Sequence, residues 1–270
     1  MKFSALLSVY HKENPTYLNQ ALQSIWDQQT LKPDEIILVK DGSLTTELDQ
    51  IIEQWKNKLE NVLKVIALPK NVGLGKALNE GINACSNNWI FRMDTDDIAL
   101  SDRFEKQVNY LKQHPEIVLL GGQIEEFIGS EKNITAKRLV PCKNQEIISY
   151  AQKRSPFNHP TVAYRKDILE KVCLYQHHLL MEDYNLWIRI LASGYKAANL
   201  PDTLLYMRTD AMHGRRRGLQ YIKSEWQLFK LKRELKFQSF LPAFTLLITR
   251  SIVRLLPASC LHKIYQFIRK

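Results

Sequence analysis

The chain has 270 residues, of which 45% are hydrophobic and 24% are charged, the composition of an ordinary globular protein. Its net charge of +10 is concentrated at the C-terminus, where residues 208–270 contain 14 Lys or Arg and 3 Asp or Glu, while the rest is nearly neutral. The four cysteines are far apart without a Cys-x-x-Cys pair, which argues against a zinc site or a disulfide framework and favours the reducing cytoplasm.

Four apolar strands alternate with helices in the first hundred residues. The predicted strands are 3–9, 35–39, 62–68 and 89–93, and the predicted helices are about 15–29, 45–59 and 73–84. The first strand follows Met1 and Lys2 directly, without the apolar core of a signal peptide. This alternation indicates βαβ units and therefore an α/β fold with a mainly parallel central sheet.

Polar residues directly follow each of the four predicted strands. They are Tyr10, Asp41, the pair Lys70-Asn71, and Asp94. Because ligands of parallel sheets bind beyond the carboxyl ends of the strands, we expect these positions to lie at one binding site.

The fourth strand ends in the acidic run Asp94-Thr95-Asp96-Asp97. Crowded carboxylates repel one another unless a cation lies between them, and Mg²⁺ and Mn²⁺ prefer such oxygen ligands. The run therefore favours a divalent cation shared with substrate phosphates. By itself it is equally consistent with an Asp-rich turn that caps a helix.

A second group of elements follows the acidic run. We expect a helix capped by Ser101 that runs to about residue 113, and a helix over residues 181–192 that Gly194 terminates. The other predicted elements are strands at 117–128 and 135–140, a helix at 144–152, a loop and strand at 157–164, and short strands at 195–200 and 203–207.

The basic tail, residues 211–270, is predicted to be a separate helical region after a domain formed by residues 1–210. A helix is expected over residues 219–236, and the uncharged stretch 237–249 is too short for a transmembrane helix, which needs about 20 apolar residues. Arg250 and Arg254, followed by Ile264 and Phe267, favour an amphipathic segment in the interface of an anionic membrane. Packing on the domain or on a second subunit is the alternative.

Five motifs resemble, in order, those of the family 2 glycosyltransferases, which have the GT-A fold. The resemblance extends over about residues 3–210. Lys40 stands where an acidic residue is common in the family, and Leu78 replaces a frequent Arg. The five motifs are Ser8-Val9-Tyr10, Lys40-Asp41-Gly42-Ser43, Asn71-Val72-Gly73-Leu74-Gly75-Lys76-Ala77-Leu78-Asn79-Glu80-Gly81, Asp94-Thr95-Asp96-Asp97 and Glu182-Asp183-Tyr184-Asn185-Leu186-Trp187.

The resemblance implies an inverting transfer from a nucleotide sugar, with UDP as the expected carrier and Mn²⁺ or Mg²⁺ as the cofactor. Asp96 would bind the metal, and Asp94 would contact the metal or the ribose. His213 would be a further metal or diphosphate ligand, although a surface histidine is nearly as plausible. The remaining expected donor-binding residues are Ser8, Tyr10 stacked on uracil, Glu13, Asp41 on the base, Asn71, Lys76 on a phosphate or the base edge, and Thr95.

The Glu-Asp pair at residues 182–183 implies the base that takes the proton of the acceptor hydroxyl. The family assigns this role to Asp183, with Glu182 orienting the base or the acceptor. A carboxylate at the start of a helix can instead serve only as a cap. His159, in Asn158-His159-Pro160-Thr161, either orients a substrate or satisfies backbone groups.

The resemblance further points to a subgroup active on bacterial surface polysaccharides, including amylovoran-type transferases. We therefore expect an enzyme peripheral to the inner face of the cell membrane that extends a lipid-linked or lipopolysaccharide glycan with a hexose or N-acetylhexosamine. A dinucleotide-binding oxidoreductase would need Gly-x-Gly-x-x-Gly after the first strand, which is missing. A nucleotidyltransferase-like or non-catalytic nucleotide-binding protein remains the alternative. We expect no nucleic-acid partner, because no recognition module is evident.

Overall fold

The computed structural model describes residues 1–209 and 219–255. Its centre is a mixed sheet in which nine strands are present among the described residues, in the order β3-β2-β1-β4-β8-β6-β9-β5, with β7 paired to β6. The strands are β1 Ser4–Val9, β2 Glu35–Lys40, β3 Leu63–Ala67, β4 Trp89–Arg92, β5 Ile98–Ala99, β6 Ile117–Phe127, β7 Ile134–Arg138, β8 Ala163–Arg165 and β9 Lys196–Arg208.

Helices cover both faces of this sheet, and the two hydrophobic cores lie between the sheet and these helical layers. Short 3₁₀ turns occur at Glu60–Val62 and His159–Thr161. The α-helices are α1 Pro15–Ile25, α2 Thr46–Leu59, α3 Leu74–Ala84, α4 Arg103–Gln113, α5 Asn144–Ala151, α6 Lys166–Lys171, α7 Glu182–Ala192, α8 Leu219–Glu234 and α9 Phe240–Leu255.

The first half of the sheet has the parallel arrangement that the sequence predicts. Strand β1 pairs in parallel with both β2 and β4, so that Ser4 lies opposite Glu35 on one side and Ile90 on the other. Strand β3 extends the parallel set beyond β2. The carboxyl ends of β1, β2 and β4 therefore lie together at one edge of the sheet.

The second half makes the sheet mixed. Strand β8 is antiparallel to both β4 and β6, whereas β9 runs parallel to β6 and antiparallel to β5. Residues 195–200 and 203–207, predicted as two short strands, belong to the single strand β9. Pro201 lies inside this strand, and the register against β6 shifts between Gly121 and Gln123, because proline cannot donate a ladder hydrogen bond.

Two predicted helix boundaries were wrong. Helix α1 ends at Ile25 rather than near residue 29, since the Gln29 amide leaves the helix and donates to the carbonyl oxygens of Ser24 and Leu100 at 2.7 Å. Helix α4 begins at Arg103, not next to Ser101, and Arg103 donates to the Arg92 carbonyl at 2.6 Å. Both side chains serve tertiary contacts that no local pattern reveals.

Helices α8 and α9 pack against each other, and α8 also packs on α7. Within residues 1–209 and 219–255, no helix combines the length and the apolar character needed to cross a bilayer. The division of the chain at residue 210 stays a prediction. Both His213 and the C-terminal residues 256–270 lie outside the described residues.

Candidate active site

The acidic run forms a compact turn beyond the carboxyl end of β4. Ligand oxygens of Asp94, Asp96 and Asp97 all lie within 4.8 Å of one another. Strand β4 lies between β1 and β8 in the middle of the sheet, so the turn is at the centre of the edge where β1 and β2 also end.

Two of the three carboxylates have strongly raised pKa values. Burial, reinforced by the charges of Asp94 and Glu13, raises the pKa of Asp96 to about 7. Burial and the neighbouring Asp96 raise the pKa of Asp97 well above its usual range. The Asp97 Oδ2 atom is buried and accepts no hydrogen bond from any residue that the structure describes. Crowded, electron-rich and incompletely satisfied oxygens of this kind fit a hard divalent cation.

A buried arginine at the end of β4 holds the first carboxylate of the turn. Arg92, the last residue of β4, is 1% exposed and makes a bidentate ion pair with Asp94. Sequence reasoning assigned no role to Arg92. The available signal was a charged side chain inside an otherwise apolar strand, two residues before the first aspartate.

Arg208, at the end of β9, fixes the other side of the turn. Its backbone N–H donates to Asp97 Oδ1 at 3.0 Å, and its guanidinium donates to the Asp96 carbonyl at 3.1 Å. The same guanidinium lies 3.6 Å from the Tyr17 ring centroid. The sequence places Asp97 in the acidic run but indicates neither its separate role nor Arg208, because this pairing joins residues more than 100 positions apart.

Three expected donor-binding residues meet beside the turn. The Thr95 hydroxyl donates to Glu13 Oε2 at 2.8 Å and approaches the Ser8 carbonyl at 3.4 Å. Tyr10, which follows β1, is exposed. The loop after β1 and the acidic turn are thus joined by side-chain hydrogen bonds.

Asp41 organises the loop that precedes α3. Its two carboxylate oxygens accept the backbone N–H groups of Val72 at 2.7 Å and Gly73 at 3.1 Å, and its carbonyl accepts the Asn71 side-chain amide at 3.2 Å. Gly42 follows with a φ of +86°, and a Cβ there would lie 2.6 Å from the Asn71 backbone nitrogen. The turn-forming role of Asp41 is therefore real, and any contact with a base would be additional to it.

The start of α3 lies against the start of α7. A Cβ on Gly75 would be 3.3 Å from Cγ of Glu182, so a larger residue there would have to push the Glu182 side chain back by a few tenths of an ångström. Glu182 and Asp183 are both half-buried in the first turn of α7. Burial is the main cause of the raised pKa of Glu182. Lys76, on the adjoining turn of α3, is exposed.

The segment that leads into α7, residues 172–181, is fixed by side chains of both α3 and α7. Asn79 of α3 exchanges two hydrogen bonds with the Tyr175 backbone, at 2.8 and 2.9 Å. Arg189 of α7 donates to the carbonyl oxygens of Val172 and Leu174. These contacts explain why Asn79 belongs to the predicted helix motif, since it positions the entry to Glu182 and Asp183.

Helix α8 fixes the same segment from a third side. His178 is hydrogen-bonded to the Ser224 carbonyl at 2.9 Å, and the Gln227 amide donates to the His177 carbonyl at 2.9 Å. The Ser224 hydroxyl donates to the Leu179 carbonyl. The region predicted as a tail thus contacts the loop next to the expected catalytic base.

His159 is partly buried and bonded to a side chain. Its Nε2 atom lies 2.8 Å from the Tyr175 hydroxyl, and burial lowers its pKa well below the usual range. The preceding Asn158 donates to the Gly122 carbonyl at 2.9 Å. The motif at residues 158–161 therefore connects β6 to the segment that precedes α7.

Comparison with known proteins assigns this geometry to a family. The glycosyl transferase family 2 model matches residues 4–173, which contain the acidic turn and the Asp41 loop. The chain belongs to glycosyl transferase family 2. It is therefore a glycosyltransferase, as the motifs predict.

Three family 2 relatives match over nearly their full length. An uncharacterized glycosyltransferase of Haemophilus influenzae is 50% identical over 272 residues, covering 100% of both chains. The amylovoran biosynthesis glycosyltransferase AmsE of Erwinia amylovora is 46% identical, covering 99% of each chain. The UDP-Gal:alpha-D-GlcNAc-diphosphoundecaprenol beta-1,3-galactosyltransferase of Escherichia coli is 37% identical, covering 98% of this chain and 95% of that protein. These relatives confirm the predicted family 2 membership over nearly the whole chain.

Solved structures share the GT-A fold at lower identity. S. aureus TarS bound to UDP superposes with a TM-score of 0.64 at 20% identity, covering 94% of this chain and 71% of that chain. The Pyrobaculum calidifontis mannosyltransferase PcManGT, in complex with GDP-Man and Mn²⁺, gives a TM-score of 0.64 at 15% identity, covering 93% and 69%. These similarities confirm the predicted GT-A fold.

Proposed function

We propose that this family 2 enzyme transfers a sugar from a UDP-sugar to a lipid-linked glycan, with inversion and with a divalent metal, in the synthesis of a bacterial surface polysaccharide. The supporting observation is the group of three aspartates within 4.8 Å at the centre of the sheet edge, beside the loop that Asp41 organises. The aspartates would hold a cation that offsets the charge of a diphosphate, and Asp41 fixes the backbone of the neighbouring loop.

Asp96 and Asp94, with Asp97, are the residues that would hold Mn²⁺ or Mg²⁺. A bound cation would neutralise the charge that develops on the departing diphosphate. His213 is proposed as a further ligand. In its favour, β9 reaches the turn at Arg208, five residues earlier, and five residues span up to about 17 Å of extended chain.

The donor would lie across the edge formed by β1, β2 and β4. Ser8, Glu13 and Thr95 form one wall through their mutual contacts, and Tyr10 stands exposed beside them for stacking on the base. Asp41 and Asn71 would contact the base from the opposite wall. Lys76 is exposed on α3, where an ammonium group can pair with a phosphate oxygen.

Asp183 is the proposed general base, with Glu182 orienting it or the acceptor. The helix dipole at the first turn of α7 favours negative charge there, whereas burial opposes it at Glu182 and raises the pKa of that carboxyl. The three-sided support of residues 172–181 would keep this pair in a fixed orientation, as proton abstraction requires. The acceptor hydroxyl then attacks the anomeric carbon in line with the bond to the diphosphate, which breaks as the new glycosidic bond forms.

The names of the relatives support the substrate class. A relative at 37% identity uses UDP-Gal and a GlcNAc-diphosphoundecaprenol acceptor, and one at 46% identity acts in amylovoran biosynthesis. We therefore propose a hexose, galactose or glucose, or an N-acetylhexosamine as the transferred sugar. With a lipid-linked acceptor the enzyme would work at the inner face of the cell membrane, where the basic C-terminal region would bind anionic lipid.

The test is nucleotide release from UDP-, GDP- and dTDP-sugars with Mn²⁺ or with EDTA, using wild type and Asp96→Ala. We expect release from one UDP-sugar that EDTA abolishes and that falls at least about 100-fold in the variant, because the charge on the leaving group is then uncompensated. Release that is indifferent to both EDTA and Asp96 would contradict the metal assignment.

A matched control is Asp102→Ala. Asp102 is a surface aspartate that pairs with Lys106 at 2.9 Å and lies outside the acidic turn, so its loss should leave nucleotide release unchanged. Thermal-shift binding of UDP on the same samples separates lost binding from lost chemistry. If the protein showed neither UDP binding nor nucleotide release with any donor, that result would favour a non-catalytic protein.

A further inference from the structure

Helices α8 and α9 present a continuous aromatic surface to solvent. Trp226 stacks on Phe229 with ring centroids 5.4 Å apart, and Phe229 contacts Phe240 at 5.9 Å and Phe244 at 6.3 Å. Trp226, Phe240 and Phe244 are all exposed despite these mutual contacts. We name this surface, together with the α9 residues described next, the aromatic ridge.

Aliphatic side chains extend the aromatic ridge along α9. Leu241 is 72% exposed and Ile252 is 57% exposed, with Ile248 between them on the same helical stripe. Spacings of three or four residues place these side chains on the Phe244 face of the helix. A stripe of this length leaves a large apolar area in contact with water, and such an area marks an interaction site.

The orientation of this face is fixed by the opposite side of α9. Ala243 and Leu247 are buried, and Arg250 pairs with the buried Glu225 of α8 at 2.8 Å. Arg250 also donates to the Lys153 carbonyl next to α5. Rotating α9 to bury the ridge would break these contacts, so the exposed apolar face belongs to the packed arrangement of the helices.

Two basic side chains border the aromatic ridge. Lys230 Nζ lies 5.6 Å from the centroid of Trp226, and the Arg233 guanidinium lies 5.8 Å from that of Phe240. In the sequence, residues 235–270 contain six Lys or Arg and no Asp or Glu. A tryptophan at the boundary between an apolar stripe and basic side chains is typical of helices that lie in a membrane interface.

We propose that the aromatic ridge inserts into the surface of an anionic lipid leaflet, with Leu241, Phe244 and Ile248 at the level of the acyl chains and the basic residues among the headgroups. This inference deepens the proposed membrane location, because it assigns the location to one surface. A second copy of the chain is disfavoured as the occupant, since it would bring two basic rims together. Nucleic acid is disfavoured because bases could stack on the aromatic rings but would leave Leu241, Ile248 and Ile252 without a partner.

The experiment measures co-sedimentation of the full-length protein with vesicles of phosphatidylcholine alone or with phosphatidylglycerol. We expect binding only to the anionic vesicles, and at least a tenfold weaker partition coefficient for Leu241→Ser/Ile248→Ser. The matched control is Leu139→Ser, which removes an equally apolar side chain that is 68% exposed but lies after β7. It should bind like wild type.

A second measurement reports on the ridge directly. Trp226 fluorescence, obtained as the difference between wild type and Trp226→Phe, should shift to shorter wavelength only with anionic vesicles. Equal binding by the double variant and wild type would overturn the proposal. So would a concentration-dependent dimer that the double variant abolishes, or preferential binding to RNA.

The same preparations are assayed for nucleotide release with a water-soluble acceptor, which keeps the two proposals separable. Unchanged release with lost vesicle binding supports the ridge as a docking surface. If wild type binds vesicles but releases no nucleotide from any donor, the proposed reaction would be contradicted, whereas the proposal for the aromatic ridge would stand.

Discussion

Arg92 is a fully buried guanidinium whose bidentate pair with Asp94 sets the direction of the first carboxylate of the acidic turn. Only arginine presents two parallel N–H donors to a carboxylate in this geometry. Side chains that orient metal ligands typically alter metal affinity by about 10- to 100-fold when they are replaced. Arg92 is therefore a positioning residue of the proposed metal site.

We expect Arg92→Lys to raise the Mn²⁺ concentration needed for half-maximal nucleotide release by about tenfold, because lysine keeps the charge but loses the second hydrogen bond. Arg92→Gln should raise it further. The control is Arg165→Lys at the half-exposed pair with Asp167. An unchanged metal requirement, accompanied only by a lower melting temperature, would show that Arg92 acts through stability alone.

Lys232 is a second buried cation with an unusual environment. Burial is the main cause that lowers its pKa to about 7, and the neighbouring Arg250 lowers it further. Its ammonium group donates to the Gln152 carbonyl at 2.8 Å and to the Tyr184 hydroxyl at 3.0 Å. The unfolded chain binds a proton at this residue up to about pH 10.5, so the unfolded state holds more protons than the folded state between pH 7 and 10.5.

Folding stability should therefore rise with pH across this range through Lys232, by at most about 1.4 kcal/mol per pH unit. Lys232→Met should lose this contribution, so that its stability relative to wild type is greatest near pH 6 and falls towards pH 10. Urea unfolding of both proteins at several pH values measures the difference. Lys236→Met, at an exposed position, should show no such trend.

At the scale of elements, the Asn-x-Gly part of the α3 motif has a packing explanation. A Cβ on Gly81 would lie 2.3 Å from Leu6 Cδ1 and 2.9 Å from Val39 Cγ2, and both side chains are fully buried. The glycine thus brings α3 into close contact with β1 and β2. This contact sets the height of the helix whose first turn touches Glu182.

Gly81→Ala should destabilise the protein by about 1–3 kcal/mol, the usual cost of overpacking a core. Leu6→Val removes the nearest methyl group, so the double variant should be less destabilised than the sum of the two single variants. The exposed neighbour substitution Glu80→Ala serves as the control. Strict additivity would mean that the clash with Leu6 is not the cause.

The sequence predicts an element well where the signals for that element lie within its own residues. Strands β1 to β4 and their helices have apolar runs and caps of their own, so their order and parallel pairing could be inferred. A strand near residue 164 could also be predicted, whereas the continuous course of β9 through Pro201 depends on its pairing with β6, which no local pattern records. The predicted end of α1 was wrong for the same reason, because the Gln29 side-chain amide donates to the distant Leu100 carbonyl.

The candidate site divides in the same way. The carboxylates and the loop residues could be identified because the family motifs are contiguous in sequence. Arg208 and the contacts that fix residues 172–181 could not be identified, since they join segments that are distant in the chain. Arg92 was overlooked because a single charge in a strand has many ordinary explanations.

At the scale of the whole molecule, α8 connects the C-terminal region to the proposed catalytic pair. Tyr221 and Leu228 are buried, and Ser224 and Gln227 bind the loop before α7. Each large apolar side chain of this kind contributes about 1.5–3 kcal/mol when it is fully buried. Residues 1–210 alone would lose all of these contacts.

We therefore expect a chain of residues 1–210 to melt well below the full-length protein and to release nucleotide at least tenfold more slowly. A chain of residues 1–239, which retains α8, should lose less of both. Thermal melts and donor assays of the three chains measure this. Equal melting temperatures and rates for residues 1–210 and the full chain would instead support the predicted independence of the first domain.

Ser224 and Gln227 lie on one side of α8, whereas Trp226 and Phe229 lie on the other, so a single helix about 10 Å wide separates the aromatic ridge from the loop that leads to Asp183. This separation cannot change without breaking the helix. The distance between the bilayer surface and the proposed base Asp183 would therefore be fixed. Asp183 would reach acceptors whose growing end stays close to the lipid. The ends of longer chains extend away from the membrane and would lie beyond its reach. The enzyme would therefore act early in assembly.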